Sequence, residues 1–83
     1  MESTTEILDF WAEWCAPCKA YAPTVDSLPY PVTKINVDKE PDLAAHYGVM
    51  SLPTLIAIKN GVPSQPLVGL RPRDKVMAWL GEA

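Results

Sequence analysis

Two cysteines, Cys15 and Cys18, stand where a short apolar run gives way to a helical pattern, inside Phe10-Trp11-Ala12-Glu13-Trp14-Cys15-Ala16-Pro17-Cys18-Lys19. No other stretch narrows the fold as much. The C-x-x-C spacing serves three chemistries: a structural disulfide, half of a zinc site, or a dithiol that is oxidised and reduced in turn. A disulfide across so short a loop removes little unfolded-chain entropy, which weakens the structural reading. A structural zinc site needs four ligands, and His46 is the one histidine left to join the cysteines. In a helix, His46 also reads simply as a surface residue.

The patterning on either side of the cysteines is that of an α/β protein. Glu6-Ile7-Leu8-Asp9-Phe10-Trp11 is long enough for one buried strand, interrupted by the charge of Asp9. Tyr21, Val25 and Leu28 then fall on one helical face, with Pro29 and Pro31 to end the helix and Pro23 inside it to kink it. The β-branched run Val32-Thr33-Lys34-Ile35-Asn36-Val37 predicts a second strand. A short helix should start near Pro41, carry Leu43 and Tyr47 on one face, and stop at Gly48 in a left-handed conformation. Thr54-Leu55-Ile56-Ala57-Ile58-Lys59 reads as a central strand covered on both faces, and Asn60-Gly61 as a hairpin turn. A fourth strand is expected over residues 65–69, at an edge because of Pro63 and Pro66, followed by a helix opened by Pro72 with Val76, Trp79 and Leu80 inward. A helical crossover between the first two strands makes them parallel, and the hairpin adds an antiparallel pair. The expected fold is a four-stranded mixed sheet, β-α-β-α-β-β-α, with helices on both faces.

Composition removes other classes. With 83 residues there is room for one domain, 1–83, and one modest core. The formal charge of −3 comes without a basic patch for phosphates, so nucleic acid is not an expected partner. No run approaches the roughly 18 apolar residues of a membrane span, so no membrane association is expected. The N-terminal stretch Met1-Glu2-Ser3-Thr4-Thr5-Glu6 lacks a basic start and an apolar segment, so no secretory signal is visible and a cytoplasmic, reducing location is expected.

Taken together, Asp9-Phe10-Trp11-Ala12-Glu13-Trp14-Cys15-Ala16-Pro17-Cys18-Lys19, Lys34-Ile35-Asn36-Val37-Asp38, Tyr47-Gly48-Val49, Leu52-Pro53-Thr54-Leu55, Lys59-Asn60-Gly61 and Val68-Gly69 resemble the thioredoxin family in kind and in order. The resemblance implies a thioredoxin-like fold and a thiol–disulfide oxidoreductase that reduces protein disulfides, with a redox-active Cys15–Cys18 pair and no further cofactor or metal. It implies a monomer regenerated by an NADPH-dependent flavoprotein thioredoxin reductase, acting on disulfide-containing proteins with ribonucleotide reductase among the candidates. It places Asp9 and Lys34 beneath the cysteines as proton-handling groups, and Leu52-Pro53 beside them as a cis bond. Trp14, Ala16, Pro17, Leu52 and Gly69 would form a flat apolar rim for protein substrates, with Leu52-Pro53 offering backbone groups to an extended substrate segment.

Elementary chemistry supports the division of labour. Cys15, where a strand hands over to a helix, faces free backbone N–H groups and the positive dipole end, which favour its thiolate as attacker. Cys15 would be the exposed sulfur, and Cys18, one turn further in, would be buried and would resolve the mixed disulfide. Asp9, a carboxyl in an apolar strand, would accept the Cys18 proton, with an ordinary strand-edge carboxylate as the plain alternative. Lys34 reads equally as a solvated residue, and Gly69 as a strand-end glycine. Family members begin with a strand and helix ahead of the matched region, where this chain has residues 1–5, so the strand over 32–37 should become a sheet edge. Alanine at position 16 replaces the usual glycine, keeping Pro17 but removing flexibility. Two other functions remain: a glutaredoxin-like or ribonucleotide-reductase-associated redoxin, although the Pro-Tyr and Gly-Gly of glutaredoxins are absent, and a non-catalytic binding module on the same fold.

Overall fold

A computed structural model describes residues 4–81. Met1, Glu2 and Ser3 of the N-terminal stretch, and Glu82 and Ala83 of the expected 1–83 domain, lie outside the described residues. The chain runs through β1 (Thr5–Trp11), α1 (Ala16–Asp26), β2 (Val32–Asn36), α2 (Pro41–His46), β3 (Thr54–Lys59), β4 (Val62–Pro63), β5 (Leu67–Val68) and α3 (Arg73–Trp79).

β1 is the centre of the sheet. It pairs in parallel with β2, Asp9 opposite Lys34 and Trp11 opposite Asn36, and antiparallel with β3, Asp9 opposite Leu55 and Phe10 opposite Thr54. The order is β2-β1-β3-β4, which leaves β2 at an edge as expected. β5 pairs with β3 beyond β4. Because side chains alternate across a strand, Ile7 and Asp9 face one side and Leu8 and Phe10 the other. Ile7 joins Tyr21, Val25 and Leu28, together with Leu55, Val76 and Leu80, in a core under α1 and α3. Leu8 and Phe10 pack with Ile35, Ala44 and Ile56 beneath α2, where Phe10 meets the Tyr47 ring at 5.8 Å.

Among the described residues the sheet has five strands rather than the expected four. The expected strand at 65–69 is confined to β5, and β4 forms immediately after the hairpin. Pro63 and Pro66 have no N–H to donate, so one unbroken ladder along β3 cannot form. Ser64 fills the break: its N–H donates to the Ala57 carbonyl at 2.7 Å, and its Oγ accepts from the Ala57 N–H at 3.0 Å. The turn before it is as expected, with Asn60 at φ 52° and Gly61 at φ 82°, the two positive values of a tight two-residue hairpin.

The helix boundaries follow the sequence signals. Cys15 is the N-cap of α1, and the helix passes through Pro23 to end at Asp26. Pro41 starts α2, and Gly48 stops it at φ 67°, with the Gly48 and Val49 N–H groups donating to the Ala45 and Ala44 carbonyls. Arg73, the first residue of α3, donates to both Ser27 Oγ (3.0 Å) and the Ser27 carbonyl (3.2 Å), tying α3 to the cap of α1.

Phe10 has no solvent exposure and forms the central contact of the α2-side core. Phe10→Ala is expected to cost about 3–5 kcal/mol, a large part of the stability of so small a domain, and to shift the denaturant midpoint accordingly. Equilibrium unfolding followed by circular dichroism checks this.

Candidate active site

The site lies where β1 and β2 both end. After Trp11, Ala12 is fully buried and its carbonyl accepts the Cys15 N–H at 3.1 Å, which turns the chain into α1. Cys15 has extended backbone angles, φ −92° and ψ 97°, and its Sγ accepts the N–H of Cys18 at 3.2 Å. A sulfur thus fills the capping role usually taken by a side-chain oxygen. Pro17 falls in the first turn, where its missing N–H leaves no intrahelical bond unmade. Cys15 and Cys18 are joined in a disulfide with Cα atoms 5.3 Å apart.

The expected contrast between an exposed Cys15 and a buried Cys18 is absent. The two residues are 4% and 6% exposed. Trp11, Ala12, Val37 and Leu52 pack around the pair. What separates the two cysteines is hydrogen bonding: Cys15 sits at the helix N-terminus, and its Sγ receives a backbone donor.

Asp9 is buried at 6% exposure, so it is not a strand-edge carboxylate. It shares a pocket of about 190 Å³ with Trp11, Cys18, Lys19, Ala22 and Lys34. Burial pushes its carboxyl from the ordinary 3.8 up to about 6, with Lys34 pulling it down and Asp26 pushing it up. Lys34 is neither simply solvated nor paired with Asp9. Its Nζ lies 3.0 Å from Asp26 Oδ1, at the end of α1.

On the other side of the disulfide, Leu52-Pro53 is cis, as the resemblance implies. The Pro53 carbonyl accepts the N–H of Gly69 at 2.8 Å, and Gly69 has φ 92°, a conformation that an L side chain rarely adopts. Gly69 directly follows β5 and is tied to the proline loop by this bond. Trp14 is 70% exposed, Ala16 and Pro17 are exposed, Leu52 and Gly69 are half-buried and Pro53 is buried. The surface here is not flat: Trp14 and Leu52 line a pocket of about 210 Å³ with Val37, Ala44, Val49, Met50 and Ser51. His46 stands off this site, its ring edge-on to Tyr47 at 4.9 Å, and no metal-holding cluster occurs among the described residues.

Three groups were not anticipated from sequence. Asp38 Oδ2 accepts from Trp14 Nε1 at 2.8 Å and fixes the indole beside the disulfide. The register could have revealed it, because parallel strands place the residues just after Trp11 and Asn36 side by side. Asp26 holds Lys34, and Met50 lines the pocket beside Trp14 with 95% of its surface exposed. Neither carries a local motif.

The buried carboxyl has a consequence for stability. A folded-state value of about 6 against an ordinary 3.8 means that the folded chain binds the Asp9 proton more tightly than the unfolded chain. Stability from this group is therefore complete below about pH 4 and is lost as pH rises to about 6. At about 1.36 kcal/mol per pH unit, the loss is about 3 kcal/mol. Asp9→Asn should remove this slope between pH 4 and 6 and leave the oxidised protein more stable than wild type at pH 7, as read from urea unfolding at a series of pH values.

A family model described as Thioredoxin matches residues 1–82. Thioredoxin from Staphylococcus aureus is 42% identical over 82 residues, covering 92% of this chain and 79% of the relative. Among solved structures, a mutant thioredoxin from Halobacterium salinarum superposes with a TM-score of 0.82 at 35% identity, covering 89% of this chain and 69% of that one. The germline-specific thioredoxin Deadhead from Drosophila melanogaster superposes with a TM-score of 0.85 at 32% identity, covering 95% and 80%. With a cysteine-capped helix and a Cys15–Cys18 disulfide at its centre, the chain belongs to the thioredoxin family and is a thiol–disulfide oxidoreductase of the protein-disulfide reductase type.

Proposed function

We propose that Cys15 is the attacking sulfur and Cys18 the resolving one. The observation that carries this reading is the Cys18 N–H donated to Cys15 Sγ at the helix N-terminus. In the reduced protein the same donor and the positive end of α1 favour a thiolate on Cys15. That thiolate attacks one sulfur of a substrate disulfide, forms the Cys15–substrate bond and expels the other substrate sulfur as thiolate. Cys18 then gives its proton to Asp9 and attacks Cys15 Sγ. The Cys15–Cys18 disulfide forms, the second substrate thiolate leaves, and two electrons have passed to the substrate.

The pocket shared by Asp9 and Cys18 supports Asp9 as the acceptor, because its volume accommodates a water between them and Lys34 and Lys19 add polar groups to its wall. A carboxyl near 6 suits proton exchange close to neutral pH. Lys34 tunes that carboxyl through its charge. On the opposite side, Trp14, Ala16, Pro17, Leu52, Pro53 and Gly69 receive an extended substrate segment, with an apolar side chain entering between Trp14 and Leu52. The family implies disulfide substrates and a reductase partner. We assign the reductase as an NADPH-dependent flavoprotein, the substrates as disulfide-containing proteins, and the state and place of action as a cytoplasmic monomer, where a reducing compartment suits a dithiol donor. No helix among the described residues is long and apolar enough to cross a membrane.

Insulin-disulfide reduction coupled to a flavoprotein thioredoxin reductase and NADPH tests the assignment. Cys15→Ser should fall to background, and activity that survives it would contradict the role of Cys15. Cys18→Ser should accumulate a Cys15–substrate adduct, visible by mass. Asp9→Asn should slow turnover by about 100-fold or more near pH 7.

A further inference from the structure

Lys34 and Asp9 are cross-strand neighbours in the β1–β2 ladder, and both line the pocket under Cys18. A free ammonium on this edge strand would be drawn to a buried carboxylate opposite it. It is held elsewhere, 3.0 Å from Asp26. Asp26 belongs to the helix that carries Cys18. Lys19, Ala22 and Asp26 fall at i, i+3 and i+7, so the helix face that walls the pocket with Lys19 and Ala22 continues to Asp26.

We propose that Asp26 is a positioning residue for the resolving step: by clamping the Lys34 ammonium at the pocket wall, it keeps that cation off Asp9 and leaves the Asp9 carboxylate able to take the Cys18 proton. This rests on the reading of Asp9 as proton acceptor. The groups that face Asp9 are Cys18, Lys19, Tyr21 and Asp26 from α1 and Lys34 from β2, while its β3 partner is the apolar Leu55. Among the charged ones, Lys34 and Asp26 act on Asp9 in opposite directions. Removing the Asp26 charge therefore acts twice: the anion that favours protonation is gone, and the released Lys34 turns toward Asp9. The side chains of Lys34 and Asp26 are 42% and 58% exposed, so the clamp is solvated and can open without disturbing the core.

The test is a titration of the Asp9 side-chain carboxyl by NMR in oxidised, carbon-13-labelled protein, where no cysteine titrates. Asp26→Asn is expected to lower the Asp9 midpoint by roughly half a pH unit, about threefold in proton affinity, and Asp26→Glu to restore it. In a Lys34→Met background the same Asp26→Asn change should move the midpoint much less. An unmoved midpoint in the single variant, or an equal movement in both backgrounds, overturns the clamp. The pH midpoint of insulin reduction, measured in parallel on wild type and Asp26→Asn, should move with the Asp9 midpoint. If the Asp9 midpoint moves and the rate profile does not follow, the acceptor role of Asp9 falls, and its catalytic consequence with it, while the ion-pair coupling stands.

Discussion

The placement of every group at this site depends on β1 being paired on both sides. Its parallel bond to β2 and antiparallel bond to β3 fix the register, and the two-residue alternation then decides which side chain meets which helix. Asp9 faces the layer of α1, and Phe10 faces the layer of α2. A slip of one residue would exchange them, placing a carboxyl under α2 and a phenyl ring under Cys18. The strand ends where the cysteine-capped helix begins, so the same register that buries Asp9 also brings Cys18 to the wall of its pocket.

The two sides of the disulfide meet different physical demands. Below it, the chain keeps a carboxyl in a mostly apolar layer at a cost of about 3 kcal/mol at neutral pH, and a leucine-like residue there would avoid that cost. On the proposed mechanism, that penalty is the condition for a carboxyl that exchanges protons near neutrality. Above it, an exposed indole is held in place by Asp38, and a half-buried leucine is held by the proline loop. On the proposed mechanism, apolar groups left open to water beside the reactive sulfur are where a protein substrate would dock.

Much of this was legible in the sequence because it depends on local rules. The apolar runs located β1, β2 and β3, Pro41 and Gly48 bounded α2, and Asn60-Gly61 set the hairpin. The C-x-x-C spacing left three chemistries open, and the family resemblance carried by the residues around it and further along the chain pointed to the redox pair. Other features depend on which elements meet in space. Asp38 reaches an indole 24 residues away only through the β1–β2 register, and nothing near Asp26 says that it will pair with Lys34. The division of the last strand into β4 and β5 turned on a serine side chain replacing a backbone partner between two prolines. The near-equal burial of the two cysteines likewise depends on residues distant in sequence, Val37 and Leu52, that pack against them.

On the proposed mechanism, the two sulfurs, nearly equally buried when joined, become unequal when reduced because one of them caps a helix. Brief treatment of the reduced protein with substoichiometric iodoacetamide at pH 7, followed by peptide mass mapping, reads this directly. Alkylation predominantly at Cys15, with Cys18 left almost unmodified, is the predicted result. Equal labelling of the two, or preference for Cys18, would contradict it.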